Sequence, residues 1–323
     1  MTTKSVMSSL SRRAFLAGSA TLAVSQKSLA MEAEPIPAID VHTHFYDPTR
    51  PEGVPWPSAK DATLYRRVLP ADFRKVTAGL AVAGTVVVEA SPWLEDNQWL
   101  LDLAAREPHL LGVVGRLDLQ SETFAENLDR FAKNPLFRGI RIGHAEVKAA
   151  LTEARVRQQL HRLVDHNLSL DVNGGPDLPA DAARLAPLCP ELRIIINHVG
   201  NPRIDGRAVS PAWQQGMTDA AGQKQVYCKL SALSEGARRA VEQPPESLAF
   251  YRPILDSLWK LFGPERLMFG SNWPVCEKAA PYAHGLKIVR GFLAEHGQTA
   301  AARVLHQNAV SIYRLTRPMP KPG

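Results

Sequence analysis

Eight short apolar runs punctuate the chain: Ala38–His42, Gly84–Ala90, Leu110–Leu117, Phe137–Ile142, Leu168–Val172, Leu192–His198, Val226–Ser231 and Arg266–Gly270. Most are apolar at consecutive positions, the pattern of strands covered on both faces in a parallel sheet. Between them the spacing turns helical, over 96–106, 122–133, 152–166 and 248–262. In the first of these Trp99, Leu100, Leu103 and Ala104 share one face. Eight βα units in about 290 residues predict a single α/β domain, a (β/α)8 TIM barrel. A doubly wound sheet competes with it, but no Gly-rich dinucleotide turn follows the first run. The longest connections follow runs one, six and seven, over Phe45–Pro70, Gly200–Gln225 and Ala232–Glu246.

Composition narrows the class. Of the 323 residues 45% are hydrophobic and 22% charged, which excludes a disordered or collagen-like chain. No run of eighteen apolar residues occurs, so no membrane span is expected. The net charge of +6 hints at nucleic acid until it is located. Lys4, Arg12, Arg13 and Lys27 lie in the first thirty residues with no acid, leaving 34 of the 38 bases against 32 acids. The body is thus near neutral without a basic stripe, and nucleic-acid binding is not expected.

The same thirty residues carry a sorting pattern. Ser11-Arg12-Arg13-Ala14-Phe15-Leu16 precedes a short apolar run, 17–24, and then Ser28-Leu29-Ala30. Paired arginines, a modest apolar core and small residues match a twin-arginine signal peptide over 1–30, with a domain over 31–323 and a periplasmic destination. Cys189, Cys228 and Cys276 are too few for a disulfide scaffold and read as buried thiols in or beside strands.

Polar residues collect where the predicted strands end. Asp40, His42 and His44 stand at the first, Glu89 at the second, Arg141 with His144 at the fourth, and Asp171 with Asn173 at the fifth. Asn197-His198 ends the sixth, Lys229 with Ser231 the seventh, and Ser271-Asn272 the eighth. In a barrel the βα loops converge on that rim. A period of two sends His42 and His44 to one side. Two such imidazoles suit a divalent metal, whose nitrogen ligands lie at about 2.1 Å. Solvated histidines explain an H-x-H pair equally well, and His198 on a later strand tips the balance. His109, His161, His166, His284, His296 and His306 have no partner at ligand spacing and read as surface or capping residues. His144 either lines the pocket or starts the next loop.

Arg141, Lys229, Arg203 and Arg207 would give the rim a positive potential suited to a carboxylated or hydroxylated small molecule. For Arg203 and Arg207 the reading as solvated loop charges is the stronger one. Tyr46, Trp56, Trp93 and Trp273 lie at or just past strand ends, where rings either stack on a substrate or cap the barrel. Pro55 and Pro57 stiffen the first loop into a fixed wall.

Ile39-Asp40-Val41-His42-Thr43-His44-Phe45, followed by the loop 50–57, resembles the opening of the amidohydrolase-related family of TIM-barrel hydrolases, in particular its lactonase branch. Phe137-Arg138-Gly139-Ile140-Arg141, Asn197-His198-Val199-Gly200-Asn201-Pro202, Cys228-Lys229-Leu230-Ser231 and 268–275 continue it in the family's order. The resemblance implies a metal or carbonyl-polarising set of His42, His44 and His198, and a substrate-holding Arg141, with Trp56, Lys229 and Trp273 as further pocket candidates. It implies at most one divalent ion, zinc if any, since the fifth strand end offers no histidine. It also implies an aspartate base on the eighth strand, where this chain has Asn272.

An amide is too weakly basic to take a proton near neutral pH, and general-base help is worth about 10²–10⁴ in rate. Glu89 and Glu277 are the carboxylates expected nearest, and a metal-bound hydroxide is the other source of activated water. The expected function is therefore lactone opening by a hydrolase. Ring-shifting isomerisation and non-catalytic sugar-acid binding are the rivals, and homo-oligomerisation is left open.

Overall fold

The computed structural model describes residues 1–3 and 35–319. The leader signature and its expected cleavage point lie outside them. Each apolar run forms a strand: β1 Ala38–Thr43, β2 Val82–Val88, β3 Leu110–Gly115, β4 Phe137–Gly143, β5 Ser169–Asn173, β6 Ile194–Ile196, β7 Val226–Leu230 and β8 Leu267–Phe269. They lie in sequence order in one sheet, every neighbouring pair parallel. The ring is joined just past β8. There the Asn272 N–H donates to the His42 carbonyl at 2.9 Å, and the His44 N–H to the Trp273 carbonyl at 2.8 Å.

Most boundaries shift by one or two residues, and two departures have a clear cause. The sixth run stops at Ile196 because the backbone turns sharply at His198–Gly200. The helical stretch 152–166 belongs to two helices, His144–Thr152 and Ala154–Asp165, parted by extended backbone at Glu153. Among the described residues no helix is long and apolar enough to cross a membrane. Cys189, Cys228 and Cys276 are free and buried, as expected.

The core has two shells. Most buried apolar residues lie between strands and helices. A second cluster joins Ile39 and Val41 of β1, Val86 and Val88 of β2, Leu111 and Val114 of β3, Ile195 of β6 and Met268 of β8. Strands β1–β3 do not border β6, so these side chains meet across the barrel interior. Ala309, Ile312, Tyr313 and Leu315 complete that cluster from the C-terminal segment. The same segment covers the starts of the strands: Asn308 Nδ2 donates to the Leu267 carbonyl at 2.8 Å, and Arg317 Nη1 to that of Leu110 at 2.9 Å.

An ion pair stands inside this apolar filling. Lys229 Nζ and Asp171 Oδ2 are 2.5 Å apart, both side chains fully buried. The Tyr313 hydroxyl donates to Asp171 Oδ1 at 2.9 Å, occupying a carboxylate oxygen that would otherwise be desolvated without a partner. Replacing Tyr313 by Phe removes a buried hydrogen bond to a charged group and should cost about 2 kcal/mol. A lowered urea midpoint with unchanged slope would show it; an unchanged midpoint would mean that the pair does not need the hydroxyl.

Candidate active site

The site lies at the C-terminal ends of the strands, centred on the seam between β8 and β1. Asp40 staples that seam: its Oδ1 accepts from the His42 N–H at 3.0 Å and the Ser271 N–H at 2.9 Å. The imidazoles of His42 and His44 stand 5.0 Å apart between centroids, and His198 lies 4.3 Å from His42. The structure thus brings together the three histidines singled out in the sequence. Burial, with the positive charges of Arg141 and Lys229, drives all three well below the usual imidazole range, His44 to about 3. They are neutral rings.

His198 is held by an unusual backbone. His198, Val199, Gly200 and Asn201 all have positive φ, between 50° and 72°. Three of the four are not glycine, and a β-branched Val there costs on the order of 1–3 kcal/mol. The turn is tied down by Trp213 Nε1 donating to the Val199 carbonyl at 3.0 Å and by the His198 N–H donating to Ser231 Oγ at 3.1 Å. Gly200 admits no side chain: a Cβ would lie 2.9 Å from Pro179 and 3.0 Å from Trp213. Ser231 Oγ also lies 3.0 Å from His198 Nδ1, where it can either give or take a hydrogen.

Arg141 reaches the three imidazoles from β4, where it pairs in register with Asp171. Glu89 holds it twice, accepting from Nε at Oε1 (2.9 Å) and from Nη2 at its carbonyl (2.8 Å). Glu89, expected as a base, is thereby committed to orienting the guanidinium. Glu277, the other expected carboxylate, accepts from Arg66 at 2.6 Å and Trp273 Nε1 at 2.7 Å.

Two of the expected pocket residues lie elsewhere. Lys229 is fully buried beneath His42, because strand register drops it one layer below the rim. Trp273 is fully buried against Phe45 and Phe73 and serves as packing. Trp56 stands 6.0 Å from His44 and shares a cleft with Glu89, as a pocket wall would. Tyr46 is buried, its hydroxyl on the Leu64 carbonyl, and Trp93 is exposed at a helix start. His144 opens a helix and pairs with Asp181 at 2.8 Å. Arg203 and Arg207 are exposed.

One site residue escapes the sequence reading. Glu235, in the short helix Leu233–Arg238 after β7, lies 2.8 Å from Asn272 Nδ2. Its other oxygen, Oε2, is buried without a hydrogen-bond partner. Burial pushes this carboxyl up to about 7. In the sequence it stands in Ser-Glu-Gly-Ala-Arg-Arg, which reads as a solvated turn.

As a ligand in a three-histidine metal site His42 is poorly matched. Lys229 Nζ directs its three hydrogens to the Val41 carbonyl at 2.8 Å, Asp171 Oδ2 at 2.5 Å and His42 Nδ1 at 3.1 Å. An ammonium only donates, so His42 accepts at Nδ1 and the neutral ring carries its hydrogen on Nε2. That Nε2 is buried without a protein partner. A cation there would meet an N–H instead of a lone pair. Binding through it would require an imidazolate or a deprotonated lysine. Among the described residues no three His, Cys, Asp or Glu side chains are arranged to hold an ion.

The amidohydrolase family model matches residues 39–315, and the chain belongs to that family. It is 33% identical over 291 residues to an L-fucono-1,5-lactonase of Burkholderia ambifaria, spanning 87% of this chain and 96% of that one. An L-fucono-1,5-lactonase of Burkholderia multivorans is 30% identical, over 82% of this chain and 91% of its own. Among solved structures, an amidohydrolase of Burkholderia multivorans with bound HEPES superposes with a TM-score of 0.78 at 26% identity, covering 87% of this chain and all of that one. A second crystal form, with bound zinc, gives 0.77 at the same identity.

The Lys229 contact makes a spectroscopic prediction. In protein labelled with 15N-histidine, His42 should show the Nε2–H tautomer between about pH 6 and 8, and K229M should abolish that preference. An Nδ1–H tautomer in the unaltered protein would sink the assignment.

Proposed function

We propose that the protein opens the lactone ring of a hydroxylated sugar acid by adding water to the ring carbonyl. The observation that carries this reading is the buried, unpartnered Nε2 of His42, an N–H donor fixed from behind by Lys229. Donors held in place before reaction, where charge develops on a carbonyl oxygen, are worth far more in a dry site than in water. Arg141, already oriented by Glu89, adds a fixed positive charge and further N–H groups for hydroxyl or carboxylate oxygens. Trp56 supplies a flat wall beside His44. The two lactonase relatives support the substrate class: a six-membered lactone bearing several hydroxyls.

In this mechanism His42 Nε2–H, with Arg141, receives the carbonyl oxygen. His198, whose Nδ1 hydrogen is donated to Ser231 Oγ, takes the proton of the attacking water at Nε2, and the resulting imidazolium keeps that hydrogen bond. Collapse of the tetrahedral species breaks the ring carbon–oxygen bond, and the proton held by His198 passes to the departing alkoxide. The product is the open hydroxy acid. No step runs through a metal, because His42 presents an N–H and not a lone pair to the cleft. The twin-arginine pattern at Ser11–Leu16 supports export of the protein to the periplasm.

Incubation with a panel of aldonolactones, followed by NMR, tests the reaction. An open-chain acid is expected; a ring-shifted lactone without acid would replace hydrolysis by isomerisation, and no change in any lactone would overturn the reading. H42A should lower turnover by about 10²–10³-fold. Treatment with a strong chelator should leave turnover unaltered, and a loss restored by added zinc would overturn the metal-free mechanism.

A further inference from the structure

Two carbonyls decide where His44 keeps its hydrogen. Its Nδ1 lies 2.9 Å from the Val88 oxygen and 3.1 Å from that of Glu89. Carbonyl oxygens only accept, so the neutral ring carries hydrogen on Nδ1 and a lone pair on Nε2. That lone pair faces the Asn272 amide at 3.3 Å and needs an N–H there. The two ends of an amide have nearly the same shape, so the protons around it decide which end faces which neighbour. As placed, Asn272 Oδ1 faces His44 Nε2 and Nδ2 faces Glu235 Oε1 at 2.8 Å; turning the amide over puts the NH2 group on His44 and the oxygen against Glu235 Oε1. Two acceptors at that separation repel unless the carboxyl carries a hydrogen.

The surroundings of Glu235 favour the neutral acid. Arg239, just past the end of its own helix, pulls toward the carboxylate, but burial outweighs it and the Asn272 contact. Tyr251 from helix Leu248–Phe262 and Cys276 from the turn after β8 face it, both pushed upward by burial and therefore uncharged. Tyr282, from helix Tyr282–Ala294, lines the same small cavity and is likewise raised by burial and by Asp40. His284 of that helix pairs with the neighbouring Ser234 at 2.9 Å.

We propose, building on the lactonase reading, that Glu235 is a positioning residue: as a neutral acid it donates to Asn272 Oδ1, holds the amide NH2 group against His44 Nε2, and leaves the second N–H of that group for the substrate. Among the described residues His44 is the only side chain within hydrogen-bond distance of that amide atom, so the second hydrogen has no protein acceptor. When Glu235 ionises, its carboxylate draws the NH2 group to itself. The amide oxygen then faces His44 and the cleft, and a donor has become an acceptor. Asn272 and Glu235 together thus stand where the family resemblance implies one aspartate.

The sign of the pH dependence follows. The protonated form is the working one, so turnover should fall as pH rises through about 7. Difference infrared spectroscopy on the unaltered protein tests the protonation without any substrate. A carboxylic-acid band should be present at mildly acidic pH, vanish as pH rises, be missing in E235Q and shift in N272A, which removes its acceptor.

In turnover, E235Q replaces the acid O–H by an amide N–H. It should stay within about threefold of the unaltered protein at low pH and lose the falling limb, whereas E235A should lose about tenfold or more, a hydrogen bond's worth. Absence of a band that shifts in N272A would overturn the proposal even if E235Q fails to fold. So would a falling limb that persists in folded E235Q, or an E235Q as inactive as a folded E235A. If no lactone is turned over at all, the lactonase reading fails while the infrared titration still decides the state of Glu235.

Discussion

The chemistry of this barrel depends on one buried ammonium. Lys229 sits in the apolar interior, where an unpaired charge would be costly, and Asp171 and Tyr313 offset that cost. Its remaining hydrogen bonds go to the β1 backbone at Val41 and to His42 Nδ1. The ion pair therefore does more than stabilise. It decides which nitrogen of His42 carries a proton, and so whether the cleft is met by a donor or by a lone pair. Paired like this, an interior charge is weak evidence for stability but strong evidence for specification of a single arrangement.

The seam between β8 and β1 does complementary work. A strand end and a turn are joined there by Asp40 and two backbone hydrogen bonds, and the same bonds bring Asn272 beside His44. Closing the barrel and building the site are one event. Opposite the seam, Arg141 and Glu89 form a preset positive wall, and the left-handed turn at His198–Asn201 delivers the third imidazole. Strain in that turn sits next to the reacting groups, and the hydrogen bonds from Trp213 and to Ser231 that hold the turn against it also keep His198 beside His42.

Most of this architecture is legible in the chain. All eight strands are readable because parallel strands buried on both faces leave continuous apolar runs, and His42, His44, His198 and Arg141 are readable because they end such runs. What escapes is what depends on register and enclosure. Lys229 looks like a rim cation, but lies below the rim, in a layer set by which β7 residues face inward. Trp273 looks like a stacking platform and is instead packed by Phe45 and Phe73, rings distant from it in sequence. Glu235 carries no local signal at all. A carboxylate in a short polar turn is ordinarily solvated, and only the helix and β8 turn folded against it bury its carboxyl beside Asn272.

The contact between Tyr313 and Asp171 spans 142 residues of sequence. A ribosome delivers the strands in order, and all eight exist before the residue that completes the central ion pair has been added. Non-local contacts of this kind close late, after their loop entropy has been met. The ion pair that sets the tautomer of His42 accordingly gains its Tyr313 hydrogen bond only after all eight strands have been made. The segment that closes the interior of the barrel thus also supports the charge that orients a reacting ring, so that packing at one end of the barrel and chemistry at the other are joined through a single hydroxyl.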